Sequence, residues 1–422
     1  MPLPISSADV AVSLLDDASA LAGDIADLRH RLHREPEIGL DLPRTQEKVL
    51  TALEGLGYEI STGRETTSVT AVLRGDGPAD DGAVDDRPVV LLRADMDALP
   101  VQEKTGLGYA SQTPGAMHAC GHDLHTSMLV GAASLLASRR ATLAGDVVLM
   151  FQPGEEGFDG AGVMIREGVL DAAGRRPAAA YGLHVMSAIA DGGTFLSRPG
   201  PLMSASDGLF VTVEGRGGHG SAPHEAKDPV TVAAEMVLAL QTMVTRQFDM
   251  FDPVVVTVGV LNAGTKRNVI PETAHFEATI RAFSPQARTR LKSSVPRLLE
   301  SIASGHGLTV RIDYVDEYPV TVNDFSETAF ARWSIEELFG PERYRNMDHP
   351  LGGSEDFSRV LAEIPGCFAF LSAAPRDVDH AKAAYNHSPY AVFDDAILAD
   401  GAALYAHLAL NRLAPASRRA VR

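Results

Sequence analysis

Four short runs in this chain gather the side chains that hold metal ions and move protons. They are His118-Ala119-Cys120-Gly121-His122-Asp123-Leu124-His125, Gly154-Glu155-Glu156-Gly157, Leu183-His184-Val185 and Asn386-His387-Ser388. Thiolate, imidazole and carboxylate together suit a zinc-like divalent cation. A second carboxylate beside a ligand suits a general base for a water that the cation acidifies. The chemistry they point to is metal-dependent hydrolysis.

Each run also has a plainer reading. A lone cysteine is more often a small buried hydrophobe than a ligand, but Cys120 has three histidines within five residues, at 118, 122 and 125. Cys120 and His122 are two apart, so an extended or looped backbone would turn both toward one ion, whereas a helix would not. His118 and His125 are the weaker candidates, with His125 placed to pack or pair at a helix start. Adjacent glutamates on a loop usually face solvent. Glu155 and Glu156 instead follow a buried strand and point in different directions, so one can bind the metal while the other faces the water. Asp95 and Asp97 project to one side of a strand end. Each could ligate, or fix a ligand from behind, or simply cap a turn. The run Gly215-Arg216-Gly217-Gly218-His219-Gly220 lacks the ending of a phosphate loop and reads as a polar turn or as a histidine able to reach into a site. In Gly352-Gly353-Ser354-Glu355-Asp356-Phe357, Ser354 is expected to cap a helix whose first turn holds the two acids, and the glycines could expose N–H groups to a ligand.

These residues need strands that end together. Val89–Ala94 and Asp146–Phe151 are continuous apolar runs typical of buried strands. They deliver Asp95 and Asp97, and Glu155 and Glu156. A shorter strand, Tyr181–Leu183, delivers His184, and Cys367–Leu371 is a further apolar strand. Sites in open α/β sheets form outside the C-terminal ends of strands. One helix is expected from Ser7 through Leu32 with Pro36 ending it, a second near 43–56 and a third over Thr126–Ala137. From about 206 the order becomes βαββαβ, with helices over Asp228–Phe248 and Ser284–Gly305, which suggests a two-layer domain on an antiparallel sheet. The expected fold is α/β: a catalytic domain with a mostly parallel, doubly wound sheet over 1–205 and 318–422, and an inserted α+β domain over 206–317. Residues 75–88 read as an exposed mobile loop and the tail from Ala414 as disordered.

Composition bounds the partners. Of 422 residues, 45% are hydrophobic and 22% charged, ordinary for a globular protein. A net charge of −18 argues against nucleic acid or an anionic membrane. Two cysteines exclude a disulfide framework and fit a reducing, cytoplasmic setting. No signal peptide or membrane span is expected.

From Leu32-His33-Arg34-Glu35-Pro36-Glu37 to Asn386-His387-Ser388-Pro389, the ordered motifs resemble the zinc aminoacylase/carboxypeptidase family of metallopeptidases, in its amidohydrolase branch. The resemblance implies metal ligands at Cys120, His122, Glu156, His184 and His387. It implies Glu155 as general base and acid, Asp97 as the supporting aspartate, and His219 as the inserted-domain histidine that steadies the oxyanion. Asn268 and Arg281 fall where relatives hold the substrate carboxylate, and Gly353 joins them as a substrate-binding candidate. One or two divalent ions are implied, zinc first, with manganese, cobalt or nickel admitted. The implied substrate is an N-acyl amino acid, cleaved to a carboxylic acid and a free amino acid. A homodimer or higher homo-oligomer is implied, the inserted domain acting as lid and dimerisation unit and His219 serving the neighbour's site. The alternatives are a metallo-dipeptidase or carboxypeptidase on the same centre, a non-catalytic binding homologue, and a cysteine hydrolase built on Cys120.

Overall fold

The computed structural model describes residues 7–78 and 87–414. Most of the loop expected to be mobile, and the tail from 415, lie outside the described residues. The chain divides into two compact units. One comprises the described residues up to Gly200, Val322–Asp348 and Arg359 onward; the other comprises Pro201–Thr321 and His349–Ser358.

The first unit is built on an eight-stranded mixed sheet. Its centre is four parallel strands in the order Asp146–Gln152, Val89–Asp95, Ala179–Met186, Gly366–Ser372. Every residue of these four strands is buried, as expected when helices cover a parallel sheet. Alternate positions divide the work. Val90, Leu92, Ala94, Val147, Leu149, Phe151, Leu183, Val185 and Leu371 enter the large apolar core with the helices. Arg93, Asp95, Gln152 and His184 alternate with them and stay outside it, as a two-residue period requires.

Several local expectations change. The N-terminal helix is two, Ser7–Ala20 and Ala22–Arg34, joined at Leu21. The helix after the Cys120 run starts at His122, four residues earlier than expected, because Gly121 (φ 90°) turns the chain into it. The third strand is eight residues long, so His184 lies inside it rather than past its end. Pairing with the full length of Gly366–Ser372 extends that strand beyond its short apolar core.

The second unit is a four-stranded antiparallel sheet in the order Val254–Ala263, Thr273–Ala282, Ala205–Glu214, Thr309–Tyr318. Two helices, Pro229–Gln247 and Pro285–Gly305, complete the βαββαβ order. Each is capped by the residue before it: Asp228 accepts from Val230 N and Ser284 from Ala287 N. Val232, Met236 and Leu240 of one helix and Leu291, Val295 and Leu299 of the other share an apolar core with the sheet. Ser354 caps no helix. The helix in that region begins at Ser358, and the Ser354 hydroxyl instead accepts from Arg281 Nη1 at 3.1 Å. Glu355 and Asp356 therefore lie ahead of that helix rather than on its first turn, and both are buried.

Candidate metal centre

Cys120, His122, Glu156, His184 and His387 converge in the first unit. Donor atoms of Cys120, His122 and His184 all lie within 4.8 Å of one another, and so do those of Cys120, Glu156 and His387. Cys120 Sγ belongs to both groups, 3.4 Å from His184 Nε2 and 3.2 Å from His387 Nε2. His387 Nε2 is also 3.2 Å from Glu156 Oε1. His122, Glu155 and Glu156 form a further such group.

The backbone explains the convergence. Asp97 lies two residues past the end of its strand and is 1% exposed. Its Oδ1 accepts from Glu155 N at 2.9 Å and its Oδ2 from Glu156 N at 3.1 Å. One carboxylate thus grips the peptide of both glutamates and fixes their different directions. Asp97 Oδ1 is also 3.5 Å from His122 Nδ1.

His125 is not a free donor. Its Nε2 accepts from Val185 N at 2.7 Å, so the ring proton sits on Nδ1, which donates to Asp95 Oδ1 at 2.5 Å. Asp95 Oδ2 takes Arg93 Nη1 at 2.7 Å, and Arg93 Nε binds Gln152 Oε1 at 2.9 Å. Asp95, His125 and Arg93 therefore form a buried network, which reaches His122 Nε2 3.7 Å from Asp95 Oδ2. It anchors the strand carrying His184 to the helix carrying His122.

A second buried network flanks the helix start. Asp123 Oδ2 accepts from Arg29 Nε at 3.0 Å and pairs with His33 Nδ1 at 2.8 Å, and His33 Nε2 reaches Glu103 at 3.4 Å. Burial would depress the His33 pKa, but Asp123 and Glu103 raise it to about 9. His118 is buried near His33, with ring centroids 6.2 Å apart, and burial pushes its pKa down to about 3.

The donor set fits a divalent cation. Neither nitrogen of buried His122 has a well-formed hydrogen bond: Nδ1 lies 3.5 Å from Asp97 Oδ1 and Nε2 3.7 Å from Asp95 Oδ2, an uncommon state for buried polar atoms that ligation would relieve. His184 Nδ1 donates to the Val185 carbonyl at 2.8 Å, which leaves the Nε2 lone pair toward Cys120. The cluster also attracts positive charge. Burial lowers the pKa of His122, yet Asp95 and the Cys120 sulfur hold it well above the ordinary value. Hydrogen bonds to Cys120 and Glu156 push His387 up to about 10. A bound cation would replace those protons.

The remaining candidates lie in the second unit. His219 pairs with Val269 on a two-residue antiparallel ladder, and Gly220 N donates to the Asn268 carbonyl at 2.9 Å. His219 and Asn268 are thus brought together beyond one end of the strand Ala205–Glu214. Arg281 is paired with Ser206 at the other end, where it binds Ser354. The neighbouring Gly353 carbonyl accepts from Ser204 N at 2.9 Å. Reading by motif missed the double grip of Asp97 and the Arg93–Asp95–His125 network. The two-residue spacing of Arg93 and Asp95 was the available signal for the second.

Residues 91–411 match the family model described as peptidase family M20/M25/M40. The chain is 34% identical to a thermostable carboxypeptidase 2 of Saccharolobus solfataricus, over 96% of this chain and 99% of that one. It is 36% identical to a hippurate hydrolase of Campylobacter jejuni, over 95% and 100%. A crystal structure of a dinuclear metal-binding peptidase of the M20 family from Bacillus subtilis superposes with a TM-score of 0.78 at 31% identity, covering 94% of this chain and 99% of that one. With the ordered donor motifs, the fold and these matches in agreement, the chain belongs to peptidase family M20/M25/M40.

Proposed function

We propose that this protein is a metal-dependent amidohydrolase that cleaves N-acyl amino acids to a carboxylic acid and a free amino acid. The observation that carries the reading is the Glu155–Glu156 turn. Asp97 holds both peptide N–H groups, Glu156 joins Cys120 and His387, and Glu155 stands buried beside them. Cys120, His122, Glu156, His184 and His387 would hold one or two divalent ions, zinc first among the candidates since thiolate and imidazole favour it. A cation there supplies Lewis acidity toward the amide carbonyl and acidifies the attacking water. Glu155 takes the proton of that water and returns it to the leaving amine. His219 donates to the oxyanion. Asn268, Arg281 and Gly353 are assigned to the substrate, with Asn268 and Arg281 on its carboxylate. The name of the hippurate hydrolase, similar over nearly the whole chain, supports this substrate class.

A carboxypeptidase acting through the same centre is the second reading, supported by the similarity to a thermostable carboxypeptidase. N-acyl amino acids and dipeptides assayed side by side separate the two. We assign a homodimer formed by the second unit. The strand Val254–Ala263 is an edge of its sheet, with Val255 and Leu261 exposed, a surface suited to pairing with another copy. Among the described residues no helix is long and apolar enough to cross a membrane, and we place the protein in the cytoplasm, where Cys120 stays reduced. The test of the function is Glu155→Gln: turnover of N-acyl amino acids should fall about 10²–10⁴-fold with metal content unchanged. Activity within tenfold of wild type would remove Glu155 from the role of base.

A further inference from the structure

Asn386 is bonded through both ends of its side-chain amide. Its Nδ2 donates to the Cys120 carbonyl at 3.1 Å and to the Val185 carbonyl at 3.0 Å. Its Oδ1 accepts from Ser187 N at 2.9 Å, and Ser187 Oγ, whose single proton is shared with the Ala384 carbonyl at 2.7 Å, lies 3.0 Å away. A primary amide has two N–H donors, and both are taken. The partners are not scattered. One is the backbone of Cys120. Another is the carbonyl that also takes the His184 ring proton, at 2.8 Å. The third, Ser187, follows on the same chain as His184.

The next residue is His387. Its backbone has φ 71°, in the left-handed region that residues with side chains rarely adopt. Its N–H donates to the Ala119 carbonyl at 2.8 Å, one residue from Cys120. Such a conformation persists where the surroundings over-determine it. Here the fixed side chain of Asn386 on one side and the Ala119 bond on the other do so. Asn386 Nδ2 also lies 3.9 Å from Cys120 Sγ, so the amide that binds the Cys120 carbonyl packs beside the sulfur as well.

We propose that Asn386 is the positioning residue of the metal centre, setting through one side-chain amide the mutual placement of Cys120, His184 and His387. The proposal rests on the metal-binding reading of those three residues. It explains how donors from three distant stretches of chain share one register: a single rigid group touches all three stretches. The amide is specific to the task. An aspartate of the same shape would keep the acceptor for Ser187 but turn lone pairs toward two carbonyl oxygens. An alanine would remove every bond of the amide. Ser187→Ala would remove only the hydroxyl, shared between Asn386 and the Ala384 carbonyl, and leave the bonds to Cys120, Val185 and Ser187 N.

The experiment compares zinc affinity, by chelator competition on the full-length holoprotein, for wild type, Asn386→Asp, Asn386→Ala, Ser187→Ala and Cys120→Ala. Thermal unfolding of each protein after chelator treatment is measured alongside. Asn386→Asp and Asn386→Ala should weaken zinc binding about 10–100-fold, the usual effect of removing an outer-shell partner, with unfolding after chelation close to wild type. Ser187→Ala should change affinity far less. In the cobalt-loaded protein the sulfur-to-cobalt absorption should shift in both Asn386 variants, a signature that a general folding defect would not produce. Zinc affinity within threefold of wild type in both Asn386 variants, with Cys120→Ala still weakened, would overturn the positioning role alone. Equal losses of affinity and of chelated-state stability would also overturn it, in favour of a general structural role. Undiminished zinc affinity in Cys120→Ala would instead overturn the metal-site reading beneath it.

Discussion

Asp97→Asn tests the support of the Glu155–Glu156 turn. The wild-type carboxylate is 1% exposed and accepts two backbone N–H groups, at 2.9 and 3.1 Å. An asparagine keeps the shape and one oxygen. Its NH₂ group must then face one of the two peptide N–H groups, so one charge-assisted bond is lost and a buried donor meets a donor. Hydrogen bonds to charged groups contribute roughly 1.5–3 kcal/mol each, and an orphaned buried donor costs a similar amount. A destabilisation of about 3–6 kcal/mol is therefore expected. The larger effect should be local. Glu155 and Glu156 take their directions from this grip, so metal affinity should fall about 10–100-fold and kcat should fall with it. Urea unfolding of the chelated protein gives the first quantity, and chelator competition with steady-state kinetics gives the second. An Asp97→Asn protein with wild-type unfolding, metal affinity and kcat would show that these two bonds do not hold the turn.

Three further outcomes follow from the same geometry. Cys120→Ala should lose metal and activity together on dialysis, read by metal analysis, and full retention of both would leave Cys120 a packing residue. His33 has its folded pKa raised from 6.5 to about 9, so the stability it gains from Asp123 and Glu103 is fully present below pH 6.5 and is lost as pH rises through 9. The stability gap between wild type and His33→Gln should shrink over that window by on the order of 3 kcal/mol, and a gap constant from pH 6 to 10 would deny the charge pairing. Glu155→Gln and His219→Ala should each be nearly inactive, while their co-expressed mixture should recover about a quarter of wild-type activity if each His219 serves its partner's site. An inactive mixture with confirmed subunit exchange would exclude that arrangement.

The sequence by itself determined a good deal. Buried strands at Val89 and Asp146 were legible because a parallel strand covered on both faces has no polar alternation to hide it. The βαββαβ order was legible from its caps, Asp228 and Ser284, and from alternation in the strands. The runs holding Cys120, His122, Glu156, His184 and His387 stood out by residue type, the resemblance to the family singled out these five, and the structure brings their side chains together.

Tertiary structure alone decided how the donors are aimed. His125 has the same side chain as His122, three residues away in one helix, yet both its nitrogens are taken by Asp95 and Val185 at 2.5 and 2.7 Å while those of His122 make only longer contacts, 3.5 Å to Asp97 and 3.7 Å to Asp95. Nothing in their spacing separates them, since the partners arrive from other strands. The extent of the His184 strand depended on pairing with Gly366–Ser372, far along the chain. Ser354 carried a capping signal, but the Arg281 guanidinium claimed its hydroxyl instead. Asn386 stood in plain view beside a ligand motif, and its role appears only when the Cys120 and Val185 carbonyls are within reach of one amide. Residue type and local period are properties of the chain. Which donor meets which acceptor is a property of long-range register, which local propensity does not encode.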